Sequence, residues 1–197
     1  MKKILLTLFL LIFLLAGNRP VRAEDTFEVL VKATTPQSNY SLHVTGKFPG
    51  QMGWIKTPWV RLGDYFSLAN TKFKSLRIYL KRVELTPNNY NLEPVDFLTQ
   101  RIKPFLKKTQ NRSGGLNYEP QFKIIYEKPA KVGVKNLDGH QAEYHYDNPQ
   151  KQMLAVKYYV VKQGKFIHLV TYTGRLEEFN ALKETFEVFV TALDFKS

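Results

Sequence analysis

The 197-residue chain contains no cysteine. That excludes disulfide staples, thiol nucleophiles and a lipid carried on an amino-terminal cysteine. Acidic residues are few: 17 Asp and Glu stand against 29 Lys and Arg, a formal charge of +12. Several catalytic signatures are missing as well. No serine sits in a Gly-x-Ser-x-Gly elbow, and Gly50-Gln51-Met52-Gly53 lacks the lysine and helix context of a phosphate-cradling loop. There is no internal repeat and no low-complexity tract. The sequence names no reaction, and no catalytic, cofactor or metal residue is singled out.

A long apolar run occurs at the amino end. Met1, Lys2 and Lys3 form a positive start, and Ile4 to Ala16 follow as 13 residues broken only by Thr7. As a helix this run spans roughly 20 Å, short of the ~30 Å hydrocarbon core of a bilayer. Val21-Arg22-Ala23 places small residues where signal peptidase needs them, so cleavage is expected between Ala23 and Glu24. Arg19 and Arg22 after the run oppose translocation in that orientation, and the alternative is an uncleaved anchor. No arginine pair precedes the run, which points to the general secretory route. The expected product is a periplasmic, lumenal or secreted protein.

Residues 24–197 fit one domain, large enough to hold its own core without staples. Removing the four leader cations leaves 25 bases against 17 acids, a formal +8. Such a surplus keeps a protein soluble, and it also attracts acidic proteins or anionic lipid.

Short alternating segments dominate the chain. Strands are expected at Thr26–Lys32, Tyr40–Thr45, Trp59–Leu68 and around Leu76-Arg77-Ile78-Tyr79-Leu80-Lys81, with a loop over Gly46–Pro58. Pro94 suits the first turn of a helix carrying Leu98, Ile102 and Phe105, which Pro104 should kink or end. A polar loop at Asn111–Asn117 precedes a strand at Phe122–Tyr126, with Lys131–Val134 extending its course. Asp138-Gly139 reads as a hairpin turn. Strands then follow at His140–Tyr146, Gln152–Val161 and Lys165–Thr173. Leu176, Phe179, Leu182, Phe186, Phe189 or Val190, and Leu193 recur at helical spacing. A meander of strands covered by a helix argues for an α+β fold with a twisted, mainly antiparallel sheet flanked by helices.

The segment Leu137-Asp138-Gly139, Ala142-Glu143-Tyr144, Val156 to Val161, Lys165 to Leu169, and Phe186 to Val190 resembles the PsbP-like families, including DcrB-like exported proteins. The resemblance covers about a third of the chain, residues 134–195. It implies an α-β-α sandwich and a non-enzymatic binding or assembly role. Leu193-Asp194-Phe195 stands where the families often have Ser-Phe.

Candidate chemistry is thin. His140 and His145 bracket Glu143, but alternation along a strand sends them to opposite faces, so a shared metal is not expected. Glu143 and Asp147 share a face about 13 Å apart, too far for a glycosidase pair, and read as a polar outer face. Lys165 to Tyr172 faintly resembles an RNA-binding strand without its glycines; packing is the expected role, and no nucleic-acid partner is expected. Asn39-Tyr40-Ser41 and Asn111-Arg112-Ser113 match glycosylation acceptors. Arg77, Lys81, Lys103, Lys107 and Lys108 lie on two elements expected to share a face. They form the candidate docking patch for an acidic protein complex or an anionic membrane surface, with solvated lysines as the plainer explanation. The alternatives are an exported hydrolase whose site gathers dispersed residues such as His43 and His168, and a carrier of a small apolar ligand between sheet and helix.

Overall fold

The computed structural model describes residues 26–32, 41–47, 53–57, 64–107, 122–148 and 150–196. The expected leader, the Ala23–Glu24 cleavage point, Trp59, Lys108 and the loop at residues 111–117 lie outside the described residues.

The described elements are β1 (Thr26–Lys32), β2 (Ser41–Lys47), β3 (Trp54–Lys56), β4 (Asp64–Asn70) and β5 (Arg77–Glu84). Then come α1 (Pro94–Phe97), β6 (Phe122–Val132), β7 (Leu137–Asp147), β8 (Met153–Gln163), β9 (Phe166–Arg175), α2 (Leu176–Thr191) and β10 (Asp194–Lys196). Seven strands form an antiparallel sheet in the order β3-β4-β5-β9-β8-β7-β6, and β1-β2-β10 form a smaller antiparallel one. The α+β class with helices flanking an antiparallel sheet is as expected.

The central strand shows why both faces are covered. In β8, Ala155 to Val161 are all buried, a run that only a strand covered on both sides produces. Val156, Tyr158 and Val160 join Phe97, Leu98, Ile102 and Leu106 in one core. Ala155, Tyr159 and Val161 join Phe179, Leu182, Phe186, Phe189 and Val190 of α2 in the other. Tyr172 stacks between Phe179 and Phe186 at 4.5 and 4.8 Å and donates its hydroxyl to the Phe179 carbonyl at 2.9 Å, which makes this second core solid.

Four expectations are corrected. The stretch Gly46–Pro58 is not all loop, because buried Trp54 opens β3, which pairs with β4. Asp138-Gly139 does not turn: both lie within β7, and the turn is at residues 133–136, where Gly133 and Asn136 take φ of 73° and 49°. Pro104 does not stop the helix. α1 continues as a π turn at Leu98–Ile102 and then as helix over residues 103–107, so the missing N–H is absorbed by a wider turn just upstream. Leu106, not Phe105, continues the buried stripe, and Phe105 is 58% exposed. Pro129 is accommodated within β6 because β6 is an edge strand.

A cleft between the sheet and the first helix

β5 and β9 run side by side, with Tyr79 opposite Thr171 and Lys81 opposite Leu169. Ile78 and Leu80 point into the α2 core, so Tyr79, Lys81 and Val83 point the other way, toward α1. On β9 the residues of that face are Leu169, Thr171 and Thr173, and on β8 they are Val156 and Tyr158. The helix crosses above the neighbouring strands. Glu93, just before it, pairs with Lys162 of β8 at 2.9 Å, and Lys107 lies 5.9 Å from the Phe122 ring of β6. Between helix and floor lies a cavity of about 840 Å³. That is within the size range of small-molecule sites, which are concave and largely apolar with a few placed polar groups. Leu85, Leu92, Phe97 and Ile102 supply apolar wall, and exposed Phe105 lies at its rim.

The opposite face carries buried ionic chemistry. The Glu143 carboxylate is 2% exposed and receives Lys183 Nζ of α2 at 2.6 Å and His145 Nε2 at 2.9 Å, with Tyr126 as a third hydrogen-bond partner. Burial by itself would raise this carboxyl; the three hydrogen bonds outweigh it and hold it below its ordinary range. Burial, reinforced by the hydrogen bond to Glu143, pushes the Tyr126 phenol far up. Lys157, 1% exposed, pairs with Glu187 of α2 at 2.5 Å; burial lowers its ammonium despite that partner. The polar outer face expected for Glu143 is therefore corrected: α2 covers it.

The expected docking residues among those described lie on two elements, Arg77 and Lys81 on β5 and Lys103 and Lys107 on the helix. Arg77 donates to the carbonyls of Lys74 and Leu76, both at 2.7 Å, and Lys81 lies in the cleft lining. Lys103 is paired with Glu127 of β6 at 2.8 Å, and Lys107 sits by Phe122. β5 and β6 are separated by β9, β8 and β7, roughly 19 Å at ordinary strand spacing. His140 and His145 do lie on opposite faces, and no metal-holding group of His, Asp and Glu occurs among the described residues. His168 is fully buried beside Phe195 at 4.8 Å, on the α2 side and away from the cleft; the His43 side chain lies outside the description. The segment from Lys165 buries Ile167, Leu169, Val170 and Tyr172, consistent with packing. The residues that sequence reasoning missed are those of the cleft floor, Thr171, Thr173 and Tyr158, because only the strand pairing brings them together.

No family model matches the sequence, and no curated protein sequence matches it significantly. Solved structures do match in fold. The solution structure of cyanobacterial PsbP (CyanoP) from Synechocystis sp. PCC 6803 superposes with TM-score 0.52 at 12% identity, covering 84% of this chain and 99% of that one. LpqN of Mycobacterium tuberculosis, described as involved in cell envelope biogenesis, superposes with TM-score 0.58 at 16% identity, covering 88% and 93%. Identities this low establish architecture and nothing finer. The seven-stranded antiparallel sheet between its two helical layers is a PsbP-like fold.

Proposed function

We propose that this chain is an exported, non-catalytic accessory protein that holds a small, largely apolar ligand in the cleft between the sheet and α1. The observation that carries the reading is the cavity of about 840 Å³, whose floor is built by four neighbouring strands and whose wall is apolar. Its lining among the described residues holds no histidine and one carboxylate, Glu84, so its chemistry favours holding over hydrolysis. The leader sequence supports work outside the cytoplasm, and the involvement of LpqN in cell envelope biogenesis agrees with such a setting. Docking on an anionic membrane face or an acidic complex accompanies this reading. Its support is the net charge; vesicle binding that ignores salt would count against it.

The test uses N-phenyl-1-naphthylamine, a neutral probe that fluoresces in apolar sites. Thr171 is half-buried and points into the cleft, so Thr171→Trp fills the floor without entering the packed α2 core. The native chain should bind the probe, and the variant should lose at least about tenfold in affinity with its unfolding midpoint little changed. No binding by the native chain, or equal binding by both, refutes the proposal.

A further inference from the structure

The strand register orders the residues of the cleft floor from end to end. Val83 pairs with Ile167 in one row, Lys81 with Leu169 in the next, then Tyr79 with Thr171, and Thr171 in turn with Tyr158. The last row holds Thr173 opposite Val156. Leu85, Leu92 and Phe97 line the end beyond Val83 together with Glu84, Thr86 and Asn89, and Thr171 and Thr173 supply hydroxyls toward the other. Thr173 Oγ1 donates to the Ala155 carbonyl at 3.0 Å. Charge lies between these ends. Lys81 lines the floor and exposed Arg101 lines the helix wall, one turn beyond Phe97. Arg101 has no carboxylate partner among the described residues. Glu84, the carboxylate of the lining, is already held by Lys165 at 2.8 Å. A largely apolar slot lined by cations from two walls has the polarity of an anionic amphiphile.

Resting on the carrier reading above, we propose that the ligand is an alkyl chain bearing an anionic head group, a carboxylate or a phosphate. The chain lies toward Leu85, Leu92 and Phe97, and the head sits at Lys81 and Arg101. Arginine offers a planar fork that matches either oxyanion.

Displacement of N-phenyl-1-naphthylamine by four ligands of one chain length tests this: dodecanoate, dodecyl phosphate, dodecanol and dodecyltrimethylammonium. Dodecanoate or dodecyl phosphate should compete about tenfold better than dodecanol, the ratio expected from one charge-assisted hydrogen bond, and the cationic ligand should be weakest. Which anion is stronger separates the two head groups. In the double variant Lys81→Gln, Arg101→Gln the advantage over dodecanol should fall to about twofold, with dodecanol itself unchanged. Equal competition by all four ligands, or an undiminished preference in the double variant, overturns the head-group assignment while leaving a carrier of neutral chains intact. Failure of every ligand to compete, with the probe itself bound in the cleft, overturns the head-group assignment; failure of the probe to bind overturns the carrier reading with it.

Discussion

Glu143→Gln isolates the charge of the carboxylate beneath α2. The substitution keeps the side-chain volume and one carbonyl acceptor. It removes the negative charge that Lys183 Nζ meets at 2.6 Å and His145 Nε2 at 2.9 Å. A hydrogen bond to a charged group contributes about 1.5–3 kcal/mol, and Lys183 is 29% exposed, so part of its charge can be hydrated again. A loss of roughly 2 kcal/mol near neutral pH follows, or roughly 4–8 °C in Tm for a domain of this size. The pH dependence follows from the lowered carboxyl. A carboxylate held below its unfolded value of 4.5 contributes fully above that value and loses its contribution as the pH falls through the lower folded value. The native chain and the variant should therefore differ most near neutrality and converge in acid. Other carboxylates are common to both proteins and cancel in the difference. Urea unfolding of both proteins from about pH 7 to about pH 3 measures the gap. A gap under about 0.5 kcal/mol at neutral pH, or one that stays constant into acid, refutes the assignment.

Two other buried groups should behave in the opposite sense. Lys157→Met leaves Glu187 without its partner, but Glu187 is 46% exposed and hydrates, while the methionine fills space beside Tyr126 and Tyr159. Stability in urea should change by less than about 1 kcal/mol or rise, and a loss above about 3 kcal/mol would show that the pair carries α2. His168→Phe replaces a ring whose two nitrogens have no hydrogen-bond partner among the described residues and which sits 4.8 Å from Phe195. Burial, aided by Arg82, lowers this imidazole from 6.5 to about 4, so its contribution is present above 6.5 and is lost as the pH falls toward 4. The variant should gain about 1 kcal/mol at neutral pH and lose less than the native chain between those values; equal slopes in thermal melts would refute this.

The strands and α2 were legible because their periods are strong. Ile78 and Leu80 alternate with Arg77 and Tyr79, and Phe179, Leu182, Phe186 and Val190 recur at helical spacing; the burial follows both patterns. Gly139 misled because glycine answers two needs. Here it serves close approach: a Cβ on it would lie 2.5 Å from the Val160 carbonyl oxygen, which pins the glycine inside the sheet rather than in a turn. The turn instead fell to Gly133, whose positive φ is 73°. The Glu143 face was judged polar and outward because period two sorts faces without saying what covers them. The signal was present in α2, where Lys183 and Glu187 stand four apart beside the apolar stripe, matched to Glu143 and Lys157 below.

The cleft was hidden in a pattern of size rather than polarity. On β9, Val170 and Tyr172 point to α2, and Tyr172 fills its side by stacking on Phe179 and Phe186. The alternate positions Thr171 and Thr173 point to α1 and are small. The side-chain volumes differ greatly between the two faces of that strand. The same alternation therefore makes one layer solid and leaves room in the other. α1 does not close that room, because its buried stripe of Leu98, Ile102 and Leu106 rests with Tyr144, Val156 and Tyr158, toward the β7 and β8 side. Phe97 belongs to that core and also lines the cleft, as does exposed Arg101. An exposed guanidinium above a floor of small threonines leaves that layer open where the α2 layer is closed, which is the room the proposed ligand would fill.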